Sequence, residues 1–189
     1  VDLNNISFKT VLNGETNEAY ERWYPYNKGG NYKWAGDRYY IVNWNNNGKD
    51  IRSYNNYLNS TRTSSVGIGS TGYFFRNGIT TKKIGSKFSA RFVPSGFIFD
   101  SGGPLFFSNH DYYLLGLFNS KVSSEILKVF SPTLNFQVGD LSEIPWILER
   151  ENYINQLVIE QINLSLEEWN SKTNSWDFKQ NYLIQCHTN

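Results

Sequence analysis

Methionine is absent from the 189 residues, cysteine occurs once, at Cys186, and histidine twice, at His110 and His187. A single thiol has no partner for an internal disulfide and cannot supply a cysteine-rich zinc site. With only two histidines besides, no metal is expected, and a reducing cytoplasmic setting fits the cysteine usage. No apolar run approaches the roughly 18 residues of a membrane span, and no segment has the pattern of a signal peptide, so no membrane partner is expected. The chain opens on Val1 without an initiator, in "VDLNNISFKT", and reads as a piece of something longer.

Acidic residues are missing from one long stretch. Between Ile51 and Phe99 there is no Asp or Glu, while Arg52, Arg62, Arg76, Lys82, Lys83, Lys87 and Arg91 are all present. From Asp140 to Phe178 the sign reverses, with eight acids against Arg150 and Lys172. The net charge of +1 therefore hides a segregated chain. Such a division suits one half that faces a polyanion and another that faces elsewhere.

Aromatics are plentiful, with 6 Trp, 13 Tyr and 13 Phe, enough to build a core despite a polar average. "DRYYIVNW" alternates and reads as a strand, followed by a turn at "NNNG". "IRSYNNYLNSTRTSS" mixes a short helix with loop. "GYFFRNGITTKKI" reads as two short strands around Asn77-Gly78, a dipeptide suited to a hairpin turn. "KFSARFVPSGFIFD" gives two more strands, separated by Pro94-Ser95-Gly96. Helical periodicity begins near Asp111, where Leu114, Leu115, Phe118, Val122, Ile126 and Val129 mark one face, and Ser131-Pro132 ends it. "TLNFQVGDL" returns to a short strand. From Leu148 to Trp169, Ile154, Leu157, Val158, Ile162, Leu166 and Trp169 form the apolar stripe of a long helix. Strands first and helices later predict an α+β fold with a mixed or antiparallel sheet. The expected division is a recognition body over residues 1–145 and a helical spacer or docking segment over 146–189.

"VGIGSTGYFF" spaces Gly67, Gly69 and Gly72 as G-x-G-x-x-G, the fingerprint of a cofactor-cradling loop. That loop must leave a buried strand and open a helix, so that the helix N-terminus meets the ligand. Here a polar segment precedes it and a strand-like one follows, so a surface loop is expected and no cofactor. No nucleophile elbow G-x-S-x-G accompanies "DSGG" at Asp100, and His110 beside Asp111 suits a helix start better than general base work. No Pro-Pro occurs, so the Asn/Asp-Pro-Pro-Tyr/Phe segment of adenine methyltransferases is missing as well. No catalytic residue is assigned.

The phrases "RWYPYNKGGNYKWAGDRYYIVNWNNNG", "FFRNGITTKKIGSKFSARFVPSGFIFDSGGPLFF", "LLGLFNSKV", "SPTLNFQVGDLSEIPW" and "EEWNSKTNSWDF" occur in that order. Together they resemble the C-terminal part of PglX-type adenine-specific DNA methyltransferases of BREX phage-defence systems, over roughly residues 20–180. Related segments occur in type IIG restriction-modification enzymes, the alternative parent. One departure is "DSGGP", Asp100 to Pro104, where the family pattern expects a different small residue. The resemblance implies a target-recognition domain akin to those of type I specificity subunits. Its implied partners are double-stranded DNA, the parent's N-terminal methyltransferase domain and other defence proteins. S-adenosylmethionine is the cofactor it implies for the parent, not for this segment.

A DNA reader needs cations to position the backbone and polar side chains to meet base edges. Arg76, Asn77, Lys82, Lys83, Ser86, Lys87 and Arg91 supply both within sixteen residues, and Lys28 in "YNKGGNYKW" is a second candidate. Small residues such as Gly78, Gly85 and Ser86 would let the main chain approach phosphates, and the glycines beside Lys28 allow close approach there. A different class, an aromatic-rich carbohydrate-binding module, would use Trp and Tyr faces but has no need of an acid-free cationic segment.

Overall fold

Six short strands make two three-stranded sheets, and helices cover them, in a computed structural model that describes residues 22–61, 67–85, 87–130 and 135–185. The first sheet is centred on β1 (Trp23–Asn27), with β2 (Ile41–Asn43) antiparallel on one side and β5 (Ile98–Phe99) parallel on the other. Pro25 sits inside this central strand at no cost to the ladder. Tyr26 N donates to Tyr40 O at 2.8 Å and Trp44 N to Arg22 O at 3.0 Å, so the even-numbered residues face β2. The missing N–H of Pro25 falls on the other edge, which β5 joins only from Tyr26.

The second sheet has the order β4-β3-β6, all antiparallel, from β3 (Gly78–Thr81), β4 (Ala90–Val93) and β6 (Leu105–Phe106). Every residue of β3 is buried. The helix α2 (Asp111–Asn119) lies on this sheet, and α5 (Glu151–Asn170) lies along α2. Ile79, Ala90, Leu115, Phe118, Val158 and Ile162 belong to one core, to which full burial of each large side chain contributes about 1.5–3 kcal/mol. A smaller core of Trp44, Phe74 and Ile98 lies under α1 (Asn45–Thr61). Asn27 links the two sheets, since its Nδ2 donates to Thr80 Oγ1 and to Gly103 O, both at 2.9 Å. The fold is α+β, with small mixed and antiparallel sheets and a long helix towards the C-terminus, as expected.

Several elements differ from the sequence reading. No hairpin turns at Asn77-Gly78; Tyr73 ends a single 3-10 turn, and Phe75 is left-handed (φ 68°), with its N–H donated to Phe97 O at 2.9 Å. The hairpin is β3–β4, closed by the loop at 82–89. The strand expected over "DRYYIVNW" is cut to β2, because Trp34, Gly36 and Asp37 all have positive φ and coil the chain before it. The single helix expected after Asp111 is two, α2 and α3 (Lys121–Phe130). Ser120 is extended at the break, and its Oγ accepts the Ser123 N–H at 3.1 Å, which starts the second helix. Asn119 turns away to pair with Ala90, accepting its N–H at 3.1 Å and donating to its carbonyl at 2.8 Å. "NFQVGDL" is no strand: Asn135 makes a bridge to Ile84, and α4 (Val138–Ser142) follows, with Gln137 and Asp140 as a capping box. The helix stop assigned to Ser131-Pro132 lies outside the described residues. A last turn, α6 (Tyr182–Gln185), completes the order.

Candidate nucleic-acid interface

The cationic segment from Arg76 to Arg91 does not form one surface. It follows the β3–β4 hairpin, so its members separate to the two ends of a four-residue strand, about 13 Å apart. At one end stand Arg76 and Asn77, both exposed. The Arg76 guanidinium lies over Phe107 at 4.8 Å and Tyr73 at 5.6 Å, while Asn77 Nδ2 donates to Asp111 Oδ2 at 3.1 Å. Burial pushes the Asp111 carboxyl up, against the hydrogen bonds from Ser108 and Asn77 and the charge of Arg76.

At the other end the hairpin loop carries Lys82, Lys83 and Lys87, with no acid between residues 82 and 89. Lys83 and Lys87 are exposed. Lys82 Nζ donates to Asn31 Oδ1, which brings the turn of Lys28 against this loop. Lys28 is exposed too, and its ammonium lies 5.3 Å from the centre of the Tyr40 ring. Two segments some fifty residues apart thus place four lysines at one end of the molecule. Sequence reasoning named both segments, and only the fold joins them. Phe136 N donates to Lys83 O at 2.7 Å and fixes the loop base from a third segment. Ser86 lies outside the described residues.

Arg91 corrects the sequence reading most sharply: it is only 2% exposed. Its guanidinium donates to Asn27 Oδ1 at 3.2 Å and to the Lys28 carbonyl, and pairs with Asp37 at 3.5 Å. Burial raises the Asp37 carboxyl, which Arg91 only partly offsets, and burial lowers Arg91 in turn. The neighbouring Arg38 is pushed down to about 10 by burial and then by Arg91, against Asp177. Arg91 therefore shapes the Lys28 turn from beneath. The glycines of that turn have an internal role as well. A Cβ on Gly29 would lie 2.3 Å from Gly102 O, and one on Gly30 would lie 1.7 Å from Asp37 Oδ2. Close packing inside the molecule, not approach to a ligand, is what they permit.

The "GIGSTG" glycines run into the 3-10 turn Thr71–Tyr73 and open no helix. A Cβ on Gly67, Gly69 or Gly72 would meet nothing within 4 Å. With Tyr26, Trp44, Asn55 and Asp100, the Gly67–Ser70 segment lines a cleft of about 540 Å³. The Asp100 carboxylate caps its own turn, accepting Gly102 N at 2.8 Å. Burial, then the bond and charge of Asp100, push the Tyr26 phenol well up, so it stays protonated. His110 is tied at the start of α2, where its Nδ1 meets Glu151 Oε1 at 2.7 Å.

One exposed polar element received little weight in the sequence. The helix α1 packs on the core of the first sheet through Ile51, has Asn55 and Leu58 half-buried on the same side, and turns Lys49, Arg52, Ser53, Asn56 and Ser60 outward. The spacing of Ile51, Asn55 and Leu58 was the available signal, hidden by an asparagine at the middle position. Glu160 and Glu167 of α5 are exposed.

No protein-family model matches the chain. It is 38% identical over 172 residues to the adenine-specific methyltransferase PglX of Lacticaseibacillus casei strain Zhang, covering 88% of this chain and 14% of that protein. It is 34% identical over 170 residues to the adenine-specific methyltransferase BrxX of Escherichia coli O9:H4 strain HS, covering 87% of this chain and 13% of that protein. No helix among the described residues is long and apolar enough to cross a membrane. The chain is homologous to one segment, about one-seventh, of these adenine-specific methyltransferases, as a fragment of such a protein would be.

Proposed function

We propose that this chain is the DNA target-recognition segment of an S-adenosylmethionine-dependent, adenine-N6 methyltransferase acting in phage defence, and is itself non-catalytic. The observation that carries the reading is the lysine cluster. Lys28, Lys82, Lys83 and Lys87 come from separate loops to one end of the double-sheet body, and the longer loop carries no acid. Such an end offers phosphates several cations at once, which gives affinity and register without sequence information. The bound cofactor would supply the methyl group to adenine N6. The residues here do not fit it, since "GIGSTG" meets no helix N-terminus. This chain's part is to hold the duplex so that the target adenine reaches the parent's catalytic domain. The acidic face of α5 is left for that domain or another defence protein.

The test is a salt-titrated binding series on cognate and scrambled duplexes with the intact methyltransferase polypeptide. If about four lysines neutralise phosphates, log affinity falls against log salt with a slope of about −4. Lys83→Ala and Lys87→Ala should each weaken binding to all sequences alike and reduce the slope by about one. A double variant that binds like the unmodified protein at low salt would place the DNA surface elsewhere.

A further inference from the structure

The regular part of α1 is built from residues that do little for a helix. Asn46, Asn47 and Gly48 are left-handed, with φ of 48°, 57° and 70°, so the right-handed helix begins at Lys49. From there to Thr61 the sequence "KDIRSYNNYLNST" contains no Ala, Glu or Gln. Asn and Ser lose helix stability because their side chains compete for the backbone. A helix that merely covered a surface would carry strong formers and i,i+4 ion pairs at its outward positions. Here those positions hold hydrogen-bonding groups, and the one acid, Asp50, accepts a bond from Asn43 Nδ2 at 3.0 Å.

Arg52 is held in place before any ligand arrives. Its Nε donates to Asn47 O at 2.8 Å, and its guanidinium lies 5.7 Å from the centre of the Trp44 ring. The left-handed turn supplies that carbonyl. Among the described residues its terminal nitrogens make no hydrogen bond, so the planar fork is left for a partner at low entropic cost. One turn on, at i+4, the exposed Asn56 carboxamide is likewise unpaired among the described residues. Arg matches guanine O6 and N7, and Asn matches adenine N6 and N7, both on the major-groove edge. A helix about 10–12 Å across fits that groove and not the minor one.

The placement agrees with the lysine end. α1 leaves β2 beside Trp23, at the start of β1, whereas Lys28 follows its end. Five strand residues separate them by about 17 Å, or about five base pairs of duplex. Phe74 packs on Trp44 at 5.2 Å and Phe75 on Tyr24 at 5.6 Å, which puts Arg76 on the α1 side as well.

We propose that α1 is the base-reading element, entering the major groove of double-stranded DNA with Arg52 and Asn56 as the reading pair, while the lysine loops position the backbone. This rests on the DNA-recognition reading above and adds which element carries specificity. The test measures which adenine contexts the intact methyltransferase polypeptide modifies in a duplex library randomised around the target. Arg52→Lys keeps the charge and loses the bidentate fork; Asn56→Ala removes an exposed side chain without disturbing the fold. Each should relax discrimination at one base position by about 5- to 150-fold. Neither should change the salt slope as Lys83→Ala does. If both variants keep the unmodified motif while the lysine variants lose affinity, α1 is not the reader. If neither set alters binding or motif, the DNA-recognition reading itself fails, and this inference with it.

Discussion

Arg91 and Asp37 are held in opposite charge states inside the body, with side chains only 3% and 11% exposed. Their value lies in shape: the pair fixes the Lys28 carbonyl, the Asn27 amide and the path past Gly30 together. Removing one partner leaves the other charge buried and uncompensated, so Asp37→Ala should lower the unfolding free energy by about 3–5 kcal/mol. Replacing both, as Asp37→Ala with Arg91→Met, should recover part of that loss, because no unpaired charge remains. Denaturant unfolding of the three variants measures it; an Asp37→Ala protein as stable as the parent would mean the pair is not structural. Residue identity alone gave no way to separate Arg91 from Lys87. Both are cations in the same acid-free run, and only the sheet that buries β4 on both faces divides them. The one available hint was a cation inside the apolar phrase "ARFV", where a surface contact has no reason to be.

At the scale of elements, the α+β order, the Pro94–Gly96 break and the long helix were readable, because each rests on local periodicity or turn chemistry. The β3–β4 hairpin and the split at Ser120 were not. Their causes are distant partners: the side chain of Asn119, the last residue of α2, bonds Ala90, and Phe75 turns left-handed to meet Phe97. Gly116, in the middle of α2, is a packing site. A Cβ there would lie 2.9 Å from Val158 Cγ2 and 3.4 Å from Ile154 Cγ2. Gly116→Ala gains about 1 kcal/mol of helix propensity and meets an overpacking cost of about 1–3 kcal/mol. The expected result is a lower melting temperature, with a smaller penalty in a Val158→Ala background. A double-mutant cycle by thermal unfolding reads that coupling. A Gly116→Ala protein that melts higher would show that α5 does not press on α2 there.

In the whole molecule, acids of the C-terminal half lie exposed on a helix whose last turn packs, through Trp169, on Tyr32 and Tyr39 of the segment after Lys28. Ile154, Val158 and Ile162 hold α5 against α2 in the main core, which fixes the direction of its remaining faces. Glu160 and Glu167 point outward, and Glu168 bonds Lys172 at 2.8 Å one turn on. A carboxylate within a Debye length of the duplex, about 8 Å at physiological salt, would oppose the phosphates. A DNA-facing helix would not carry this row, whereas a helix docking a basic partner would. Charge reversal at Glu160→Lys and Glu167→Lys should therefore leave the methylated motif unchanged, because neither residue lies on the element assigned to reading bases. It should weaken association with whatever partner uses the acidic face. Sequencing of methylated adenines in cells carrying the double variant reports the first outcome, and co-purification with the defence proteins proposed above as partners reports the second. A shifted motif would put α5 in the groove and overturn the assignment of faces. An unshifted motif with lost assembly would assign the lysine loops and the acidic helix to two different partners.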